Sequence, residues 1–184
     1  MNGIKTVTKI LTKILEIGHW VGAALMFCIA VCSKALPQKL NYFIDTKAFE
    51  TETEISSYGF EVRIINSAGE IDFNALCLYA VGSIIIFSLM AMIFRNIYLI
   101  IKRSENETPF CKDNVRMFRE IGIFSVSIPV CGLIMSTITA LVLGAEAFEN
   151  SINFDGFIMG IIIFCLSEFF VYGSKLEKDV DGLL

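Results

Sequence analysis

Glu168 is the residue of this chain whose type least suits its neighbours. It stands in an apolar run from about Phe157 to Gly173, beside Leu166, Phe169 and Phe170. A carboxyl in such a run can bond a neighbouring helix, carry a proton or ion, or meet a ligand. At about 1.5 Å per residue it lies roughly 16 Å along the run. A carboxyl at that depth is expected to be buried between helices. Its expected partners are Arg95, at the end of another apolar run, or hydroxyls of the third run. Glu16 and His19 are spaced as Glu-x-x-His, half of a di-iron carboxylate site. The chain has one His, so neither the second half nor a bis-His haem can be built within it. His19 and Trp20 read instead as an interfacial pair.

Six cysteines stand at 28, 32, 77, 111, 131 and 165. Five lie in or beside apolar runs, where Cys acts as a small hydrophobe. Thiol redox chemistry needs a close reactive pair such as CxxC, and the sequence contains none. No cofactor or metal is expected. Lys112, Arg116 and Arg119 recur on one helical face, with Val115, Phe118 and Gly122 on another. The stretch around them, 95–120, has no His, no Ser-His-Asp set and no Gly-rich phosphate loop. It lacks the parts of acid-base, nucleophilic and phosphoryl chemistry. A basic amphipathic segment suits anionic lipid or an acidic soluble partner. The expected role is docking, not catalysis.

The elements that must position these residues are membrane spans. Of 184 residues, 55% are apolar or aromatic and 18% charged, with net charge −4 and mean hydropathy +0.67. That balance excludes a disordered chain, a nucleic-acid binder driven by bulk positive charge, and a soluble globule. The apolar residues fall in four runs of the length a bilayer needs, about 20 residues each. The spans are read at 14–36, 73–94, 121–143 and 157–175. The expected fold is a single all-α domain of four transmembrane helices. Residues 6–16 read as an amphipathic lead-in, with Lys5, Lys9 and Lys13 every four residues. The first span is expected to stay uncleaved, because Val31 is too large for the position before Cys32 in a lipoprotein box.

Pro37 should end the first span. Within the polar loop 37–72, Phe60, Val62 and Ile64 alternate with Glu61 and Arg63. Asn66-Ser67-Ala68-Gly69 has turn chemistry, and Ile71 and Phe73 suit a returning strand. A small β-hairpin between the first two spans is expected. Thr108-Pro109 is a helix start. Pro129 should kink the third span, whose Ser125, Ser127, Ser136, Thr137 and Thr139 can bond across helices or back to carbonyls.

Lys and Arg decide orientation. The N-terminal segment, the 95–120 loop and the tail hold 11 of the 15 bases. The other four are Lys34, Lys39, Lys47 and Arg63, in or beside the first loop, where seven acids outnumber them. Both termini and the 95–120 loop are expected in the cytoplasm, and the hairpin outside.

Two stretches resemble a known family. Glu107-Thr108-Pro109-Phe110-Cys111-Lys112-Asp113-Asn114-Val115-Arg116, continuing to Arg119-Glu120-Ile121-Gly122, resembles the G-x-PF-T-x-E-N-x-x-R-x-R-x-I-G signature that opens the third span of a bacterial four-helix membrane family, domain of unknown function 2975. Ser167-Glu168-Phe169-Phe170-Val171-Tyr172-Gly173, then Leu176-Glu177-Lys178-Asp179-Val180-Asp181, resembles its closing motif. This chain has Glu107 where the family has Gly, Cys111 for Thr and Asp113 for Glu. The resemblance implies a non-enzymatic protein of the bacterial cytoplasmic membrane. It also implies a regulatory or sensory role and a small cytoplasmic helix-turn-helix regulator as tethered partner. The chain itself would touch lipid and no nucleic acid, and a homo-oligomer is compatible with its size. The alternative is a small transport or antimicrobial-immunity protein using Glu168 as its intramembrane polar site. A membrane enzyme ranks third.

Overall fold

The computed structural model describes residues 2–43, 54–58, 60–66, 70–105, 108–144 and 155–181. In chain order the elements are α1 (Asn2–Ala35), α2 (Pro37–Phe43), β1 (Glu54–Ser57), β2 (Phe60–Arg63), α3 (Phe73–Arg103), α4 (Lys112–Leu143) and α5 (Asp155–Asp181). Four of the helices among the described residues are long and apolar enough to cross a membrane. The chain is thus built as a multi-pass membrane protein. At about 1.5 Å per residue, the 31 residues of α3 reach roughly 46 Å. That exceeds a hydrocarbon core of about 30 Å, so charged ends such as Lys102 and Arg103 can stand clear of it. Ile158, Ile161, Leu166 and Phe169 on α5, and Leu25, Phe27 and Val31 on α1, are exposed large apolar side chains. Water would not tolerate such continuous faces, whereas lipid does.

Two expectations are corrected at the start of the chain. The basic segment 6–16 is not a separate lead-in but the first half of α1, which runs unbroken from Asn2. Pro37 does end that helix, yet it also opens α2. Its fixed φ and missing N–H suit a first helical turn as well as a break.

The hairpin also differs from the sequence reading. Phe60, Val62 and Ile64 are buried as their alternation requires. Their strand, however, pairs with upstream residues: Glu54 lies opposite Arg63 and Ser57 opposite Phe60. The turn is tight because Tyr58 adopts φ 50°. Among the described residues the downstream return is one bridge, Ile65 with Ile71, where Asn66 N–H donates to the Glu70 carbonyl at 2.9 Å. Residues 67–69 of the expected turn lie outside the described residues.

The chain divides into two compact units. The first comprises Met1–His19, Leu89–Ser127 and Phe154–Leu184; the second comprises Trp20–Ser88 and Ile128–Asn153. The first holds 11 bases and 10 acids, the second 4 bases and 9 acids. The division by packing therefore coincides with the 11-to-4 division of bases. In the second unit, Phe60 is fully buried, stacks on Tyr79 at 5.9 Å between centroids, and lies against Gly82 of α3. Lys34 Nζ donates to Asn74 Oδ1 at 2.6 Å, joining α1 to the first turn of α3.

α4 continues through Pro129, and the boundary between units falls just before it, after Ser127. The hydroxyls of Ser127, Thr137 and Thr139 bond carbonyls four residues back on their own helix, not another helix. A hydroxyl beside its own backbone finds an acceptor there without any tertiary alignment.

Candidate functional site

Glycines set how closely α4 and α5 approach in the first unit. A methyl group on Gly160 would overlap Val126 Cγ2 and stand 3.3 Å from the Gly122 carbonyl oxygen. On Gly122 it would meet the Phe164 ring at 3.0 Å, and on Gly173 the Phe110 ring at 2.7 Å. Small residues allow such packing where lipid removes the hydrophobic drive between helices. Phe170 fills the seam, 4.3 Å from Phe118 and 5.4 Å from Phe110 between centroids. The alignment is antiparallel, from Gly160 beside Gly122 to Glu177 beside Thr108, whose hydroxyl donates at 3.0 Å. The two stretches that carry the family resemblance are thus brought together along one seam.

That register places Glu168 opposite Arg119, whose Nη2 donates to Oε1 at 2.9 Å. The expected burial of Glu168 is overturned, since its side chain is 68% exposed. The expected partners are overturned as well. Arg95 is exposed on α3, and the inward position next to it belongs to Asn96, 4% exposed. On α5 likewise, Ser167 takes the inward place that Glu168 was expected to fill. Depth along a helix does not fix direction around it, and one residue turns the side chain by about 100°.

An exposed ion pair contributes on the order of 0–1 kcal/mol. The glycine seam, not the pair, therefore holds α4 to α5. Glu168→Gln and Glu168→Leu should each change unfolding stability in detergent by less than about 1 kcal/mol. A larger loss would restore Glu168 as a structural tie.

Asn96 is the buried polar group that sequence reasoning missed. Its Nδ2 donates to Glu120 Oε2 at 3.0 Å, and Arg116 Nε lies 3.4 Å from Glu120 Oε1. α3 and α4 are also joined by Arg103 with Asp113. Asn114 is fully buried, with Nδ2 donating to the Pro109 carbonyl at 3.2 Å. This bond secures the turn into α4. An amide within an otherwise apolar helix was the available signal for Asn96.

The basic face of α4 is as expected in its pattern. Lys112, Arg116 and Arg119 are exposed and Val115 and Gly122 are buried; Phe118 is only half-buried, and Met117 and Ile121 complete the buried side. Only Arg119 of the three reaches another helix in a described ion pair. On α1, Glu16 is buried and held by Lys13 at 2.9 Å, and Lys9 bonds both oxygens of Glu105 at 3.0 Å. His19 Nδ1 lies 2.7 Å from the Leu15 carbonyl, and its ring packs 5.2 Å from Phe94. Glu16 and His19 are thus engaged separately and do not converge on one point. All six cysteines are free. Among the described residues no three His, Cys, Asp or Glu side chains gather where a metal could be held.

No family model, curated protein or solved structure matches the chain.

Proposed function

We propose that this chain is a non-enzymatic regulatory or sensory protein of a bacterial cytoplasmic membrane. Its basic unit faces the cytoplasm and docks a soluble regulator. The observation that carries this reading is the face formed by Lys112, Arg116 and Arg119. It is held outward on a helix whose other side, Val115 and Met117, is buried in the unit. A rigid basic face at the first turns of a span can meet an acidic surface without reorganising the spans. The excess of bases in the same unit supports its cytoplasmic side. The resemblance to domain of unknown function 2975 supports a small helix-turn-helix regulator as the partner. Its two motif stretches meet along the α4–α5 seam, as they would if they form one functional surface.

A photo-crosslinking residue at position 112 should capture that regulator in cells. Lys112→Glu with Arg116→Glu should abolish the capture while the four spans insert normally. Both residues are exposed, so reversal should leave the fold intact. A reversed protein that inserts and still holds its partner would refute docking through this face.

A further inference from the structure

The basic unit contains a cleft of about 370 Å³ between α1 and α3. Clefts that hold small molecules run from roughly 300 to 1,000 Å³. Its polar end is made by Lys9, Lys13 and Glu105, its floor by Tyr98, and its apolar wall by Ile10, Ile14 and Ile17. We propose that it binds one membrane phospholipid through a phosphoethanolamine headgroup, with phosphate on the lysines and ammonium on the carboxylate.

The charges argue for a headgroup of both signs. Lys9 and Lys13 lie one helical turn apart, a rise of about 6 Å. Lys9 is matched by Glu105 and Lys13 by Glu16, so the four groups sum to zero. A purely anionic headgroup gains little net attraction from such a set. A zwitterion meets a cationic pole and an anionic pole at once. Each ammonium has three donors, and a carboxylate has about four acceptor sites, so the existing pairs leave room for both contacts.

The apolar wall argues for a lipid over a soluble ligand. Along α1 the cleft lining runs Thr6, Lys9, Ile10, Lys13, Ile14 and Ile17, so its last charge is Lys13 and only apolar lining residues follow toward the run from Val21. That is the order of phosphate, glycerol and acyl chain at a membrane boundary. Ile14 and Ile17 are exposed, as a wall for an acyl chain must be. The amine argues for ethanolamine over choline. A primary ammonium donates hydrogen bonds to a carboxylate, and a trimethylammonium does not. The aromatic face that would attract choline is occupied here, because Lys13 Nζ stands 5.1 Å over the Tyr98 ring.

The test is native mass spectrometry of the full chain, delipidated and offered phosphatidylethanolamine, phosphatidylcholine or phosphatidylglycerol with identical acyl chains. Phosphatidylethanolamine should be retained about tenfold better than phosphatidylcholine, the effect of one charge-assisted hydrogen bond. Glu105→Gln should erase that preference, and Lys13→Gln should weaken retention of all three. Inorganic phosphate and soluble glycerophosphoethanolamine, offered to the wild-type chain, separate the sources of phosphate without relying on the folding of any variant. The soluble headgroup should displace the lipid only weakly, and phosphate not at all. Equal retention of the three lipids, best retention of phosphatidylglycerol, or displacement by phosphate alone would overturn the proposal.

Discussion

Gly160→Leu should part α4 from α5 and destabilise the basic unit by more than any surface change. The position has no room for a Cβ, because Val126 Cγ2 already occupies it and the Gly122 carbonyl stands 3.3 Å away. A β-branched Val126 has few ways to withdraw, and the backbone behind it has none. Overpacking of this kind typically costs about 1–3 kcal/mol, and leucine here belongs at or above the upper end. Spin labels at Ile123 and Ile161, both exposed, should report a longer interhelical distance in the variant. Gly160→Ala should give a smaller loss, and adding Val126→Ala should recover most of it. An unchanged distance in Gly160→Leu would mean that the helices are not held by close approach.

Phe60→Ala should release the hairpin from α3 in the second unit. The ring is fully buried, stacked on Tyr79, and seated where Gly82 leaves space; a Cβ there would come within 2.5 Å of it. Removing a buried Phe costs about 3–5 kcal/mol. That is a large share of a typical domain stability of about 5–15 kcal/mol. Hydrogen exchange at Val62 and Ile64 should accelerate accordingly, while α3 amides near Ala91 stay protected. Gly82→Ala should produce the same exchange pattern by pushing the ring out. If Val62 and Ile64 exchange at the wild-type rate in Phe60→Ala, the hairpin owes its position to something other than this ring.

The sequence made the four spans legible because each is a run of apolar residues long enough to cross a bilayer, and length and hydropathy are local properties. It also made the charge division legible, and the two compact units fall along the same division. The alternation of Phe60, Val62 and Ile64 identified a strand with one buried face. Its partner was not legible, since pairing depends on the turn, and the φ of Tyr58 favours the upstream residues. The candidate site was misread at one-residue resolution. Glu168 reads as the costly buried group and Arg95 as its partner, but Ser167 and Asn96, their chain neighbours, face inward. Direction around a helix is set by tertiary packing, chiefly by Gly122, Gly160 and Gly173, whose role shows only when the helices are aligned.

The two units also differ in when they can close. The second draws on Trp20–Ser88 and Ile128–Asn153, all synthesised before α5 exists. The first also draws on α5 and cannot close until that helix has emerged. Chains assemble from the N-terminus as they emerge. The hairpin unit is therefore an early product, and the basic unit waits with Gly122 uncovered and Arg119 without its carboxylate. A ribosome that stalls before α5 leaves the basic unit open, with a bare glycine face and Arg119 unmatched by Glu168. Helix α5 thus acts as the clasp of the basic unit.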